Sequence, residues 1–416
     1  MKVVSVDRPT NFIEQVLHPH LAYLMFDAAA QRLIQEAPGR LVKVAKEPPD
    51  IPWWDGKRKV NRMLVFGGGG MGDRIQSTPA LRKLANLLGM KIDVANSRAP
   101  EWDHIPYIGT RHPWMLPPNV VKNYDACCTL EDVLGQEDEK TVHLAELIAR
   151  RLFVAPLYPG AVMGNPGEYT CDWYWQTGED ETLTWSPEKA PDTLWVGIQV
   201  ASHGKSRTWP MENVIALAQK LSATRKYNIV VLLLGTYQQS PAWGAPGDID
   251  MAGLPEGPYP NVSNLCGRIT GTRQLAALIS RLDLLIAPDS GPLHLAGVLG
   301  IPSIGLYGPH LHETRGLWFP NQHPITGTVN DDPMCPCFCH CDQGAKGVLP
   351  CGRDVCACMA LISANAVFAK AIGFLDAAIE DGQKRMTTCP ICQKVFKSMA
   401  GRDQHLRRQH KAPEQE

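Results

Sequence analysis

The segment between Leu194 and Leu306 limits the possible folds most, because strand-like and helix-like patterns alternate along it. Apolar runs rich in Val, Ile and Leu predict buried strands, and these runs are Leu194–Val200, Asn228–Leu234, Leu284–Ala287 and Ser303–Leu306. Apolar residues at helical spacing lie between the runs, at 212–224, 272–281 and 293–299. Since strands and helices in this order build a parallel sheet, the segment predicts a doubly wound α/β domain.

A similar unit lies nearer the amino terminus. Met63–Phe66 predicts a buried strand, and Gly67–Gly70 follows it as a glycine-rich loop. Ser77–Leu88 predicts a helix, and Lys91–Ala95 predicts the next strand. The order of strand, loop, helix and strand predicts a second parallel sheet.

The length of 416 residues accommodates two to three domains of about 100–200 residues each. We expect a helical extension with a proline-rich linker at 1–60, α/β domains at 61–190 and 191–380, and a small domain at 384–416. A net charge of −1 argues against a chain that coats nucleic acid with its whole surface. The sequence has no apolar run of membrane-spanning length, and its first residues do not resemble a secretory signal, so we expect a cytoplasmic protein.

The glycine-rich loop of the first α/β unit is a candidate ligand site. Gly69, Gly70 and Gly72 let the backbone approach a ligand, and the helix start that follows attracts anions. Asp73 lies near the carboxyl end of the first strand, where it can act as a general base towards a hydroxyl group. Two alternatives stay open: a tight turn whose Asp73 caps the helix, and a dinucleotide site. Asp93 fits the second poorly, because it lies inside its strand and not at the end.

A second candidate site is the motif DSGPLHLAG at Asp289–Gly297, which also follows a strand and opens a helix. Backbone N–H groups and a hydroxyl at this helix start suit a phosphate, and the nearby segment HGKSRTWP adds positive charge. A structural histidine and solvated surface charges are the alternatives. The candidate phosphate-binding residues are Lys205, Arg207, Asp289, Ser290, Gly291 and His294.

The order of four motifs resembles the heptosyltransferase family, glycosyltransferase family 9, over residues 62–378. The motifs are GMGDRIQSTPALRKL, KSRTWPMENVIALAQKL, VVLLLG and the stretch from NLCGRIT to GLYGP. The resemblance implies a GT-B fold, in which two Rossmann-like domains face each other across a cleft. It also implies that the amino-terminal domain binds the acceptor and that the carboxy-terminal domain binds a nucleotide-sugar, for which ADP-heptose is one candidate.

The family's chemistry carries over to matching positions of this chain. The resemblance implies inverting sugar transfer without a catalytic metal, with Asp73 as the base and Arg207 on the donor diphosphate. It implies that Asp289, Ser290, Gly291 and His294 form the donor-phosphate motif. The family often has a carboxylate after the glycine of the VVLLLG strand, whereas this chain has GTYQQS, which leaves the nucleotide and the sugar open.

The resemblance favours a glycan or a lipopolysaccharide-like molecule as the acceptor. A nucleic acid or a modified base is an alternative acceptor, because the carboxy-terminal segment is basic. A protein that keeps the GT-B scaffold as a binding module without chemistry is a further alternative. The presence of both Asp73 and His294 argues against that last alternative.

A cysteine-rich stretch at 335–358 holds more than half of the 13 cysteines of the chain. Clustered thiols in a chain without a secretory signal indicate metal ligands more often than disulfides. The C-x-C spacings suit zinc less well than C-x2-C, so reduced thiols and disulfides also stay open. The candidate ligands are Cys335, Cys337, Cys339, Cys341, Cys351, Cys356 and Cys358.

The last segment contains Cys389-x2-Cys392-x12-His405-x4-His410, which resembles a ββα zinc finger of the two-Cys, two-His type and implies structural Zn²⁺. Sequence-specific DNA reading is not expected, because Gly401 occupies one of the usual base-reading positions. Contact with nucleic acid through phosphates, or with a partner protein, is expected instead.

We expect Cys389→Ser to lower the zinc content of the purified chain by one equivalent, because a finger of this type folds only around its metal. Elemental analysis of the full-length protein measures this loss. Cys266→Ser, outside both cysteine groups, is the control and should leave the zinc content unchanged. Equal zinc content in all three proteins would contradict the finger.

Overall fold

The computed structural model of the chain describes most residues of 50–130, 142–152, 170–176, 189–200, 205–235, 261–327 and 356–387, together with short segments before residue 46. Its contacts form two compact units, Met1–Ile362 and Ser363–Glu416. Cys335, Cys337, Cys339, Cys341 and Cys351 lie outside the described residues, as do all four predicted finger ligands.

The first 60 residues contain strands where a helical extension was expected. Strands β1 (Lys2–Val6), β4 (Ala22–Met25) and β5 (Val42–Val44) form an antiparallel sheet with β1 in the centre. Strands β2 (Thr10–Phe12) and β3 (Gln15–Leu17) pair with each other. The helical prediction is therefore wrong for these segments. The spacing of apolar residues does not reveal that the Val-rich β1 pairs with strands some 20 and 40 residues away.

The predicted first parallel sheet is present. It consists of β6 (Met63–Phe66), β7 (Ile92–Ala95), β8 (Ile108–His112) and β9 (Ala126–Thr129), in the order β8-β7-β6-β9. Helices α1 (Met71–Leu88), α2 (Pro118–Val121) and α3 (Leu144–Leu152) accompany it. Apolar residues of β6 and β7 form one core with α1 and α3, and all four strands are mutually parallel.

Helix α1 begins at Met71 and not at Ser77. Local hydrogen bonds satisfy a backbone N–H at its first turn and the carbonyl that its interior proline leaves without a donor. The Asp73 carboxylate accepts the N–H of Gly70 at 2.6 Å, which closes the amino end of the helix. Pro79 cannot donate to the carbonyl of Ile75, but the Thr78 hydroxyl donates to that carbonyl at 2.7 Å. The proline therefore stays inside the helix and does not mark its start.

The second parallel sheet has six strands in the order β12-β11-β10-β13-β14-β15. This arrangement is the doubly wound order 3-2-1-4-5-6, as the alternating sequence pattern predicted. The strands are β10 (Thr193–Gln199), β11 (Asn228–Leu234), β12 (Val262–Asn264), β13 (Leu284–Pro288), β14 (Ser303–Tyr307) and β15 (Gln322–Thr326). The helices are α4 (Met211–Ala223), α5 (Thr272–Ile279), α6 (Gly291–Val298) and α7 (His312–Arg315).

Two further helices follow the second sheet. Helix α8 (Ala357–Ala360) is held near the first unit's core by Trp209, whose indole N–H donates to the Ile362 carbonyl at 2.8 Å. Helix α9 (Ala364–Thr387) belongs to the second compact unit. In the described part of the chain, no helix is both long enough and apolar enough to span a membrane.

A buried ion pair joins the elements around the two sheets. Arg74 on α1 makes a two-pronged contact with Glu101, with Nε–Oε2 at 2.7 Å and Nη2–Oε1 at 3.1 Å. The Glu101 side chain is fully buried and also accepts the Thr272 hydroxyl of α5 at 3.4 Å. Arg273 of the same helix donates to the Pro100 carbonyl at 3.4 Å. The pair therefore links a helix of the first sheet to a helix of the second.

We expect Glu101→Ala to lower the free energy of unfolding by about 3 kcal/mol, because it leaves the Arg74 guanidinium without its buried partner. Urea unfolding followed by circular dichroism measures the change. The matched control is Glu146→Ala, which removes a partly exposed helical pair with Arg150 and should cost less than about 0.5 kcal/mol. Equal losses in the two variants would contradict a structural role for the buried pair.

Candidate active site at two helix starts

The amino ends of α1 and α6 lie against each other, and two glycines make this approach possible. A Cβ atom on Gly72 would lie 2.5 Å from Cδ2 of His294, and one on Gly291 would lie 2.8 Å from the side chain of Met71. Both helices follow the carboxyl end of a strand in a parallel sheet, where open α/β sheets bind ligands. The structure thus brings the predicted acceptor-side loop and the predicted donor motif into direct contact.

Asp73 lies in the first turn of α1, folded over the glycine loop and partly exposed. Its Oδ2 atom accepts the Gly70 N–H, so the capping alternative describes its geometry correctly. Gly69 has a φ of 75°, and a Cβ there would lie 2.6 Å from Asp73 Oδ2. Both the left-handed backbone conformation and the lack of space therefore require glycine. The carboxylate is therefore held in one place by the loop and still reaches solvent.

Asp289 and His294 form a buried pair at the start of α6. Nε2 of His294 lies 3.3 Å from Oδ1 of Asp289, and both side chains are about 95% buried. Burial would raise the pKa of Asp289, but the hydrogen bond from His294 and nearby positive charge, including Arg207, hold that pKa well below its usual range. Asp289 is therefore an ionised carboxylate in the protein interior.

The remaining predicted donor residues lie around the same helix start. Arg207 donates from Nη1 to the backbone carbonyl of Asp289 at 3.2 Å. The Ser290 hydroxyl donates to the Pro288 carbonyl at 2.9 Å, and Gly291 is the first residue of α6. Lys205 begins the short 3₁₀ turn Lys205–Arg207, and its side chain is not among the described ones.

Gln76 and His143 are residues of this region that sequence reasoning missed. Gln76 lies one helical turn after Asp73, is buried, and places Nε2 3.1 Å from Nδ1 of His294. The signal available in the sequence was its spacing from Asp73, which puts both residues on one helical face. His143 precedes α3 and is buried, and its Nδ1 accepts the Ala145 N–H at 3.2 Å.

Metal ligands were predicted in the cysteine-rich stretch and the finger, and few of these residues are described. Cys356 is buried as a free thiol, and Cys358 is disulfide-bonded, so Cys358 is not a free thiol that could bind a metal. Among the described residues, no group of three or more His, Cys, Asp or Glu side chains is placed to hold a metal ion. Both metal sites therefore stay predictions.

Two doubly wound parallel sheets with facing helix starts define an α/β protein similar to the GT-B glycosyltransferases. Residues 176–341 match the model of glycosyltransferase family 9, the heptosyltransferases. A 48-residue segment is 52% identical to the lipopolysaccharide core heptosyltransferase OpsX of Haemophilus influenzae. That match covers 12% of this chain and 14% of OpsX, so the chain spans about a seventh of that curated relative's length.

Solved structures show the same fold at low sequence identity. Heptosyltransferase II of E. coli, an ADP-heptose enzyme, matches 77% of this chain and 99% of its own, with a TM-score of 0.53 and 16% identity. A family 9 glycosyltransferase from Veillonella parvula matches 78% of this chain and 100% of its own, with a TM-score of 0.51 and 15% identity. The iron-containing heptosyltransferase TibC, in complex with ADP-D-beta-D-heptose, matches 91% of this chain and 92% of its own, with a TM-score of 0.51 and 13% identity. At these identities the three matches show a shared fold.

His143 makes the stability of this region sensitive to acid. Burial, reinforced by the positive charge of neighbouring Arg315, lowers the pKa of His143 to about 2, against about 6.5 in an unfolded chain. As the pH falls below about 6.5, the unfolded state takes up the proton first, so the stability that is complete above this pH is lost progressively.

We expect the free energy of unfolding of the wild-type chain to fall by about 1.4 kcal/mol more per pH unit below pH 6.5 than that of His143→Asn. Asparagine does not titrate, and its carbonyl can accept the Ala145 N–H in place of Nδ1. Urea unfolding at several pH values between 7.5 and 5 measures the difference. Parallel pH dependences in the two proteins would show that His143 does not stay neutral in the folded state.

Proposed function

We propose that this protein is an inverting glycosyltransferase that moves a sugar from a nucleoside-diphosphate sugar to an acceptor hydroxyl without a catalytic metal. The observation that carries the proposal is the contact between the helix that bears Asp73 and the helix that opens the donor motif, through Gly72 and His294. This contact supports a single reaction centre between a base and a site for the leaving diphosphate.

The chemistry assigned to each side of the contact is simple. Asp73 takes the proton of the acceptor hydroxyl while that oxygen forms a bond to the anomeric carbon of the sugar. The bond between the anomeric carbon and the diphosphate breaks on the opposite face, which inverts the configuration. The start of α6 and the Arg207 guanidinium stabilise the charge that develops on the diphosphate, and Lys205 is proposed to assist them.

The donor and the acceptor are proposed from the similar proteins. Heptosyltransferase II is an ADP-heptose enzyme and TibC has been solved with ADP-D-beta-D-heptose, which supports ADP-heptose as the donor. OpsX is a lipopolysaccharide core heptosyltransferase, which supports a glycan or lipopolysaccharide-like acceptor. The zinc finger, with its nucleic-acid or protein contacts, and the cytoplasmic location stay predictions from the sequence.

We expect Asp73→Asn to lower turnover at least 100-fold, because removal of a general base costs about 10²–10⁴-fold. The asparagine carbonyl can still accept the Gly70 N–H, so the loop and the melting temperature should be preserved. The assay follows ADP release from ADP-heptose, with heptose-deficient lipopolysaccharide as the acceptor, and calorimetric titration follows ADP binding.

ADP affinity within threefold of wild type, together with the loss of turnover, would support a role for Asp73 in the chemical step alone. Undiminished turnover would remove Asp73 from the mechanism. Failure of the wild-type chain to bind ADP or to release it from ADP-heptose would contradict the proposed donor.

A further inference from the structure

Gln76 connects the helix that bears Asp73 to the donor motif through its side-chain amide. Nε2 lies 3.1 Å from Nδ1 of His294 and 3.0 Å from the backbone carbonyl oxygen of Arg315. The side chain is about 1% exposed. Two of its contacts therefore reach elements of the second sheet from a helix of the first.

The Arg315 carbonyl fixes the orientation of this amide. A carbonyl oxygen only accepts hydrogen bonds, so the Gln76 atom beside it must be the NH₂ group and not the amide oxygen. The same NH₂ group lies against His294, and Nδ1 of His294 must therefore accept. His294 is then a neutral imidazole that carries its proton on Nε2, and it donates that proton to Asp289 at 3.3 Å.

Both ring nitrogens of His294 are thus used inside the protein. Nδ1 faces Gln76, and Nε2 faces Asp289. This leaves the imidazole no free nitrogen for a phosphate, although the family resemblance implies a donor-phosphate role for His294. The effect of His294 on a donor would instead pass through Asp289, whose backbone carbonyl accepts a hydrogen bond from Arg207.

The oxygen of the Gln76 amide indicates that the two donated hydrogen bonds matter. Oε1 is buried and has no hydrogen-bond partner in the described part of the chain. An unsatisfied buried oxygen is unfavourable, so an apolar side chain would fit this position better unless the two donated hydrogen bonds matter. The close approach at Gly72, where a Cβ atom would collide with His294, is what lets the Gln76 side chain reach across.

We propose that Gln76 is a positioning residue for sugar transfer: its amide holds His294 in one tautomer, and through Asp289 it aligns Arg207 and the donor motif with Asp73. The proposal rests on the proposed function, since it assigns a role within the same reaction centre. Gln76 touches neither substrate in this scheme, and it acts through the chain of contacts from α1 to α6.

Gln76→Leu removes both donated hydrogen bonds and keeps a similar side-chain volume. The matched control is Thr78→Val on the same helix, which also removes two hydrogen bonds of a buried side chain, to the Ile75 carbonyl at 2.7 Å and from the Asp172 N–H at 2.9 Å. Thr78 is fully buried and makes no hydrogen bond to His294 or Asp289 among those described.

The experiment measures kcat and KM for ADP release from ADP-heptose, with heptose-deficient lipopolysaccharide as the acceptor, and the Kd of ADP by calorimetry. We expect Gln76→Leu to lower kcat at least tenfold with KM and Kd within threefold of wild type, and Thr78→Val to leave all three within threefold. Equal kcat in the two variants overturns the positioning role. A wild-type chain that neither binds ADP nor releases it from ADP-heptose overturns the proposed function. An active wild-type chain with equal kcat in the two variants overturns the positioning role alone.

A second measurement decides the case if Gln76→Leu does not fold. Nitrogen-15 NMR of the histidine-labelled wild-type protein reports which ring nitrogen of each imidazole is protonated, and comparison with His294→Asn assigns the His294 signals. Protonated Nε2 with unprotonated Nδ1 supports the proposal. Protonated Nδ1 overturns it, because the Gln76 amide then cannot donate to His294.

Discussion

The close contact between the starts of α1 and α6 is the constraint on which the candidate site depends. Glycine at position 72 is the only residue that leaves room for the His294 ring, since a Cβ atom would lie 2.5 Å from Cδ2. Because the ring fits there, Gln76 can reach Nδ1 from the next turn of the helix. The positions of Asp73, Asp289 and Arg207 relative to one another all follow from this single approach.

The buried carboxylate of Asp289 explains why so many polar groups surround the contact. A buried ionised group is stable only when hydrogen bonds and opposite charges replace water. His294 supplies the hydrogen bond, and nearby positive charge, including Arg207, keeps the pKa of Asp289 low. The hydrogen bond itself requires only a proton on Nε2 of His294, which is the tautomer proposed above.

The sequence predicted both parallel sheets because short buried strands and amphipathic helices leave local signals, as at Asn228–Leu234. It misplaced the start of α1, since the Thr78 hydroxyl that compensates Pro79 is visible only in three dimensions. It predicted a helix where β1 pairs with β4, because strand pairing is not local. It named His294 but not its partner, since Gln76 and His294 are 218 positions apart.

Helix α1 is also held at a second place, on its buried face. The Tyr107 hydroxyl donates to the Thr78 carbonyl at 3.0 Å, and Asp172 pairs with Arg82 at 2.5 Å. The segment that carries Asp172 also places Trp173 against Arg273 of α5, with 4.3 Å from the guanidinium carbon to the ring centre. Residues 170–176 therefore fix α1 to the second sheet at a point separate from His294. This second attachment stabilises the middle of α1, whereas the contact between Gly72 and His294 sets how Asp73 meets the donor motif.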